Sequence, residues 1–290
     1  MSAYENIVIG KSSLPSLIIT VLLMIAIPVC FFIYWRRKHK EQTNISYLVA
    51  GILGFIVSAR MMELGVHYFC ILADNPVSRF INGSTATYVL YGTIMAGVFE
   101  ECGRHIVLKY IMKKNHTREN AVLYGIGHGG IEILAILPPT MITYLVIALL
   151  FSQGDVQHAL SSLKITEETA AAALPPIQAA AAFDYAMMAM NVIERLLAMF
   201  VHIGLTVVVF YGIVDVKKIC LPMAIVLHML ADTFPALYQR SVLPLWAVEI
   251  WGAFWAGVIV FIAGKLYKRE NTGSCAGDVF SKRICRNKHS

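Results

Sequence analysis

The sequence predicts an all-α fold: a polytopic bundle of about seven transmembrane helices in one integral membrane domain, residues 1–290. Three observations carry this. Of the 290 residues, 58% are hydrophobic and 14% charged, about half the charge of an ordinary soluble protein. Mean hydropathy is +0.65. The apolar residues also fall into long uninterrupted runs rather than alternating patterns, which excludes a soluble globule, a disordered chain and a nucleic-acid binder. The six cysteines (Cys30, Cys70, Cys102, Cys220, Cys275 and Cys285) form no CxxC pair, which argues against a disulfide scaffold and a finger-type zinc site.

A helix needs about 20 apolar residues to cross about 30 Å of hydrocarbon. Runs near 14–35, 46–72, 86–109, 120–151, 183–214, 219–238 and 243–265 meet that length. In the first, the positive cluster Arg36-Arg37-Lys38-His39-Lys40 follows the apolar run, as in a retained anchor rather than a cleaved leader. With the N-terminus outside, the inside loops hold 17 Lys and Arg and the outside loops four. That asymmetry predicts a cell-membrane protein with its C-terminus in the cytoplasm. Residues 152–182 read as an outside linker with an interfacial helix around Val156–Ile165 and a break at Pro175-Pro176. Residues 266–290 read as a basic cytoplasmic tail.

A charge at mid-bilayer costs roughly 2.5–3.5 kcal/mol, so each one needs a reason. The third span carries Glu100, Glu101 and Arg104, the fourth His128 and Glu132, the fifth Glu194, Arg195 and His202, and the sixth His228 and Asp232. Residues four apart share a helical face, as Glu100 and Arg104, His128 and Glu132, and His228 and Asp232 do. At about 1.5 Å per residue, Glu101 and His128 lie about 12 Å from the cytoplasmic ends of their spans, and His228 about 15 Å. His202 and Asp232 lie about 20 Å deep on the same rise. One layer in the cytoplasmic half therefore holds carboxylates and imidazoles together. The run Gly125-Ile126-Gly127-His128-Gly129-Gly130 brings a neighbouring backbone close to the imidazole. Arg60, Glu63 and His67 read as structural support, and Cys102 as an inert buried thiol.

Such a layer permits hydrolysis: a Glu takes a proton from water while His groups hold an oxyanion. No cofactor is expected in that reading. An alternative is zinc on His128, His202 and His228 with an open position for water, although no HExxH is present. A non-catalytic scaffold or chaperone that packs with the same histidines is a further alternative. A proton-coupled transporter fits less well, because the polar residues concentrate in spans three to six.

At these residues the sequence resembles the CAAX prenyl protease type II and bacteriocin-processing (CPBP) superfamily of intramembrane proteases, and within it the YhfC family. Phe99-Glu100-Glu101-Cys102-Gly103-Arg104 is similar to the first motif and Gly127-His128-Gly129-Gly130-Ile131-Glu132 to the second. Glu194-Arg195 with His202 is similar to the third, and His228-Met229-Leu230-Ala231-Asp232 to the last. The motifs cover about residues 90–240. The resemblance implies a peptidase acting on a membrane-associated protein or peptide, with Glu100 or Glu101 as base and His128 beside the water. It further implies His228 with Asp232 on the oxyanion side, Arg104 anchoring the Glu pair, and Glu132, Glu194 and His202 completing the pocket. The Glu-Glu-x-x-Arg spacing is one residue shorter than the usual prenyl-protease form, and Tyr124 stands where the second motif carries Phe.

Overall fold

A computed structural model describes Tyr4, residues 6–113 and residues 116–269, with the side chains of 136–138 and 269 left aside. Residues 270–290, which hold most of the expected basic tail together with Cys275 and Cys285, lie outside the described residues, as does Lys114. The described chain is helical throughout, with turns and no β-strand.

The elements follow the apolar runs. Helix α1 is Ser13–Lys38 and α2 is Ile45–Leu72, which loosens into π-helical turns at Ile56–Glu63 and Tyr68–Leu72. A short helix α3, Pro76–Asn82, was hidden by its length. Then come α4 (Thr85–Ile106, with a π-helical turn Val107–Ile111), α5 (Arg118–Phe151), α6 (Val156–Ser162) and α7 (Glu167–Ala182). Last are α8 (Tyr185–Val214), α9 (Cys220–Gln239) and α10 (Leu245–Arg269).

Local chemistry sets the helix starts. Asn44, Ser84, Thr117 and Asp184 each accept a backbone N–H from the first turn of α2, α4, α5 and α8, satisfying donors that a helix start leaves free. Among the described residues, six helices are long and apolar enough to cross a membrane: α1, α2, α5, α8, α9 and α10. The remaining expected span corresponds to α4, which carries Glu100, Glu101 and Arg104 within 22 residues. Its polarity is the reason it falls short by composition, and it is also the reason it lies at the centre of the site.

The linker departs from expectation at one point. Helix α7 runs straight through Pro175 and Pro176 where the sequence suggested a break. Each proline forfeits one i→i−4 hydrogen bond. The alanines on either side have the highest helix propensity, and the Thr166–Thr169 capping box secures the start. Helix α7, with α6 and Tyr4, closes over the end of α5 around Phe151, Leu160 and Ile177. The Ser13 hydroxyl ties α1 to this cap by donating to the Ala181 carbonyl at 2.7 Å.

Helix α5 forms the centre of the bundle, packed against α1, α2 and α8, while α4 lies along α9 and α8 along α10. Large apolar side chains such as Leu22, Leu53, Leu90, Ile250 and Phe261 face outward. In a bilayer they meet acyl chains rather than water.

Candidate functional site

The nine residues singled out from the sequence, Glu100, Glu101, Arg104, His128, Glu132, Glu194, His202, His228 and Asp232, join one connected polar network carried by α4, α5, α8 and α9. Its core is buried: Glu101, Arg104 and His128 have no exposed surface, and little of His202, His228 and Glu100 is exposed.

The two glutamates are partnered differently. Both Glu101 oxygens accept from Arg104 Nη1, at 2.7 and 2.8 Å, and Oε1 also lies 2.8 Å from His228 Nδ1. The shared face thus joins Arg104 to Glu101, three residues away, rather than to Glu100, four away. Glu100 turns instead to α5, where its Oε2 lies 2.9 Å from His128 Nε2. Both spacings are available on a helix, and the position of His128 decides between them.

His202 links the two halves of the network. Arg104 Nη2 lies 3.1 Å from its Nδ1. A guanidinium has no acceptor, so Nδ1 accepts and the ring proton sits on Nε2, which points at the Glu132 carboxylate. Arg195 Nη1 approaches Glu132 at 3.7 Å, and its Nη2 pairs with Glu194. His228 Nε2 faces Asp232 at 3.4 Å, and the Asp232 side chain is 39% exposed. Asp232 and Glu194 therefore form the rim, and Glu101 and Arg104 the floor.

Sequence reasoning left Arg195 out of the candidate site although it stands beside Glu194. Its seven-residue offset from His202 was the signal, since that spacing returns to the same face. It missed Phe55 altogether: this α2 ring packs edge-on against His128 with centroids 5.2 Å apart. Tyr124, four residues before His128 on α5, stacks on the same ring at 6.2 Å. No local spacing announces a contact between helices so far apart in sequence. Arg60, Glu63 and His67 stay outside this network, with His67 bonded to Tyr91 at 2.9 Å and to Glu63 at 3.2 Å.

A metal-binding arrangement also emerges. Donor atoms of Glu100, His202 and His228 lie within 4.8 Å of one another, all buried, and form the one such group among the described residues. This differs from the all-imidazole set expected from sequence: Glu100 takes the third place, and His128 is bonded to it. Two imidazoles and a carboxylate are the ligand type of a catalytic zinc site. Each imidazole also has a carboxylate on one nitrogen, Glu101 for His228 and Glu132 for His202, the arrangement that orients metal-bound histidines. By ligand type the donor set fits a small divalent metal, which would take the place of Arg104 Nη2 at His202 Nδ1.

A multi-pass helical membrane protein with a buried carboxylate–imidazole centre is the class that fold and site define. The chain belongs to the YhfC family: the family model described as YhfC intramembrane metalloprotease matches residues 23–251. A curated relative from Bacillus subtilis (strain 168), described as uncharacterized membrane protein YhfC, is 32% identical over 238 residues, covering 81% of this chain and 89% of the relative. No solved structure matches.

Proposed function

We propose that this chain is an intramembrane endopeptidase that cleaves a membrane-associated protein or peptide, with Glu100, His202 and His228 holding zinc. The observation that carries the reading is the buried donor set of one carboxylate and two carboxylate-backed imidazoles. When bound, the metal supplies a Lewis acid for the scissile carbonyl and lowers the pKa of water.

The chain's own residues do the rest. Arg104 neutralises Glu101, and Glu101 holds the His228 ring by Nδ1. Glu132, itself approached by Arg195, holds His202 by Nε2. His128 fixes the Glu100 carboxylate, and Asp232, the exposed carboxylate of the rim, takes the proton of the attacking water. With the N-terminus outside, as the loop charges favour, this layer lies in the cytoplasmic half of the bilayer. The order of the four motifs supports placement within the CPBP superfamily.

One observation favours a second, metal-free reading in which Glu100 itself is the base. His202 Nδ1 already accepts from Arg104, and His228 Nε2 already faces Asp232. Each of these nitrogens thus has a partner without a metal.

The test combines elemental analysis of purified protein with N-terminal peptide profiling of membranes expressing matched variants. About one zinc per chain is expected in wild type, lost in Glu100→Gln and His228→Ala and retained in Asp232→Asn. New peptide termini are expected with wild type and with none of the three variants. Termini formed by metal-free wild type, and lost in Glu100→Gln, would select the second reading. Identical termini from all well-folded variants would leave a non-catalytic scaffold.

A further inference from the structure

We infer that Arg60 on α2 is a positioning residue for the site: it caps the backbone carbonyl that Pro139 leaves without an intrahelical donor and so holds the catalytic half of α5 in register. Helix α5 continues through Pro139, which has no N–H to give to the carbonyl of Ala135, four residues earlier. A buried or membrane-embedded carbonyl without a donor is unfavourable and must find one elsewhere. Arg60 Nη2 donates to the Ala135 oxygen at 3.1 Å.

Two features make this more than an incidental contact. Among the described residues, Arg60 has no carboxylate in ion-pair range, because Glu63 is engaged with His67, so the cation's hydrogen bond goes to backbone. The carbonyl it meets also lies one turn beyond Glu132 and two beyond His128, on the same helix. Through that carbonyl, α2 fixes the height and rotation at which His128 meets Glu100 and Glu132 meets His202. The π-helical turns of α2 at Ile56–Glu63 contain Arg60, and such turns re-aim side chains relative to a regular α-helix.

The activity arm of the test rests on the peptidase reading, and the spectroscopic arm does not. Ring nitrogens are observed in detergent-solubilised full-length protein labelled with 15N-histidine, with His128 assigned by its loss in His128→Gln. Arg60→Met is expected to shift the His128 and His202 signals and to lower the yield of new peptide termini by about tenfold to a hundredfold, the scale for a misplacement of about 1 Å caused far from the chemistry. Arg60→Lys keeps one donor and is expected to stay near wild type. Pro139→Ala restores an N–H to the Ala135 carbonyl, so in that background Arg60→Met is expected to change neither readout. Arg60→Met that folds only together with Pro139→Ala supports the assignment equally.

Unmoved histidine signals in a folded Arg60→Met protein would overturn it, as would equal shifts in both backgrounds or failure to fold in both. If wild type yields no termini while the histidine signals behave as expected, the peptidase reading falls and the positioning role stands.

Discussion

Glu100 and Glu101 are adjacent in sequence, yet their surroundings assign them opposite tasks. Glu101 is fully buried and saturated, with Arg104 on both oxygens and His228 on one. Removing one member of a buried ion pair leaves an uncompensated charge and costs about 3–5 kcal/mol. Arg104→Met is therefore expected to destabilise the protein by that amount, read as loss of folded protein in thermal unfolding in detergent. Glu100 is bonded to His128, lies 3.8 Å from His202 Nδ1 and belongs to the metal-capable group. Glu100→Gln is expected to unfold near wild type while losing function. Equal destabilisation by both changes would contradict this division. The pair was legible from sequence, but its division of labour was not, because Arg104 lies within helical reach of both residues.

At the scale of the element, α5 shows what the glycines accomplish. A Cβ on Gly127 would run into the Leu48 carbonyl of α2, and one on Gly125 would lie 2.8 Å from Ile203 Cα of α8. Backbone, unlike a flexible side chain, cannot move aside, so these positions set how closely α2 and α8 approach α5. Gly127→Ala is expected to separate α2 from α5 and sharply reduce the yield of folded protein by size-exclusion chromatography. Gly92→Ala on α4, where a Cβ meets nothing within 4 Å, is expected to leave it unchanged. Similar yields for the two would refute the packing argument. The glycine run was visible in the sequence as a site of close approach. Which helices approach it depends on how α1, α2 and α8 surround α5.

For the whole molecule, most of the basic residues outside the helix middles gather at one end of the bundle: Arg36 to Lys40, Lys109, Lys217 and Lys265 all lie at or near the C-terminal ends of α1, α4, α8 and α10. Helices α6 and α7 cap the opposite end. If the positive-inside asymmetry sets the orientation, a cysteine placed at Ser161 in a cysteine-free background is expected to react with a membrane-impermeant maleimide on intact cells. A cysteine at Lys218 is expected to react only after permeabilisation. The reverse pattern would invert the orientation and move the site to the outer half of the bilayer.

The sequence by itself determined the apolar surroundings, the long helices and which four of them carry polar groups, though not the short α3 or the unbroken α7, because the long elements depend on local properties: the length of an apolar run and the 3.6-residue repeat. Only the tertiary structure decided that Arg104 pairs with Glu101, that His128 takes Glu100, that Glu100 replaces His128 in the metal-capable group, and that Arg60 meets Ala135. Each of these joins residues whose relative position is set by the rotation and depth of separate helices. Those quantities come from how glycine and bulky side chains interlock across the bundle, which no single segment contains.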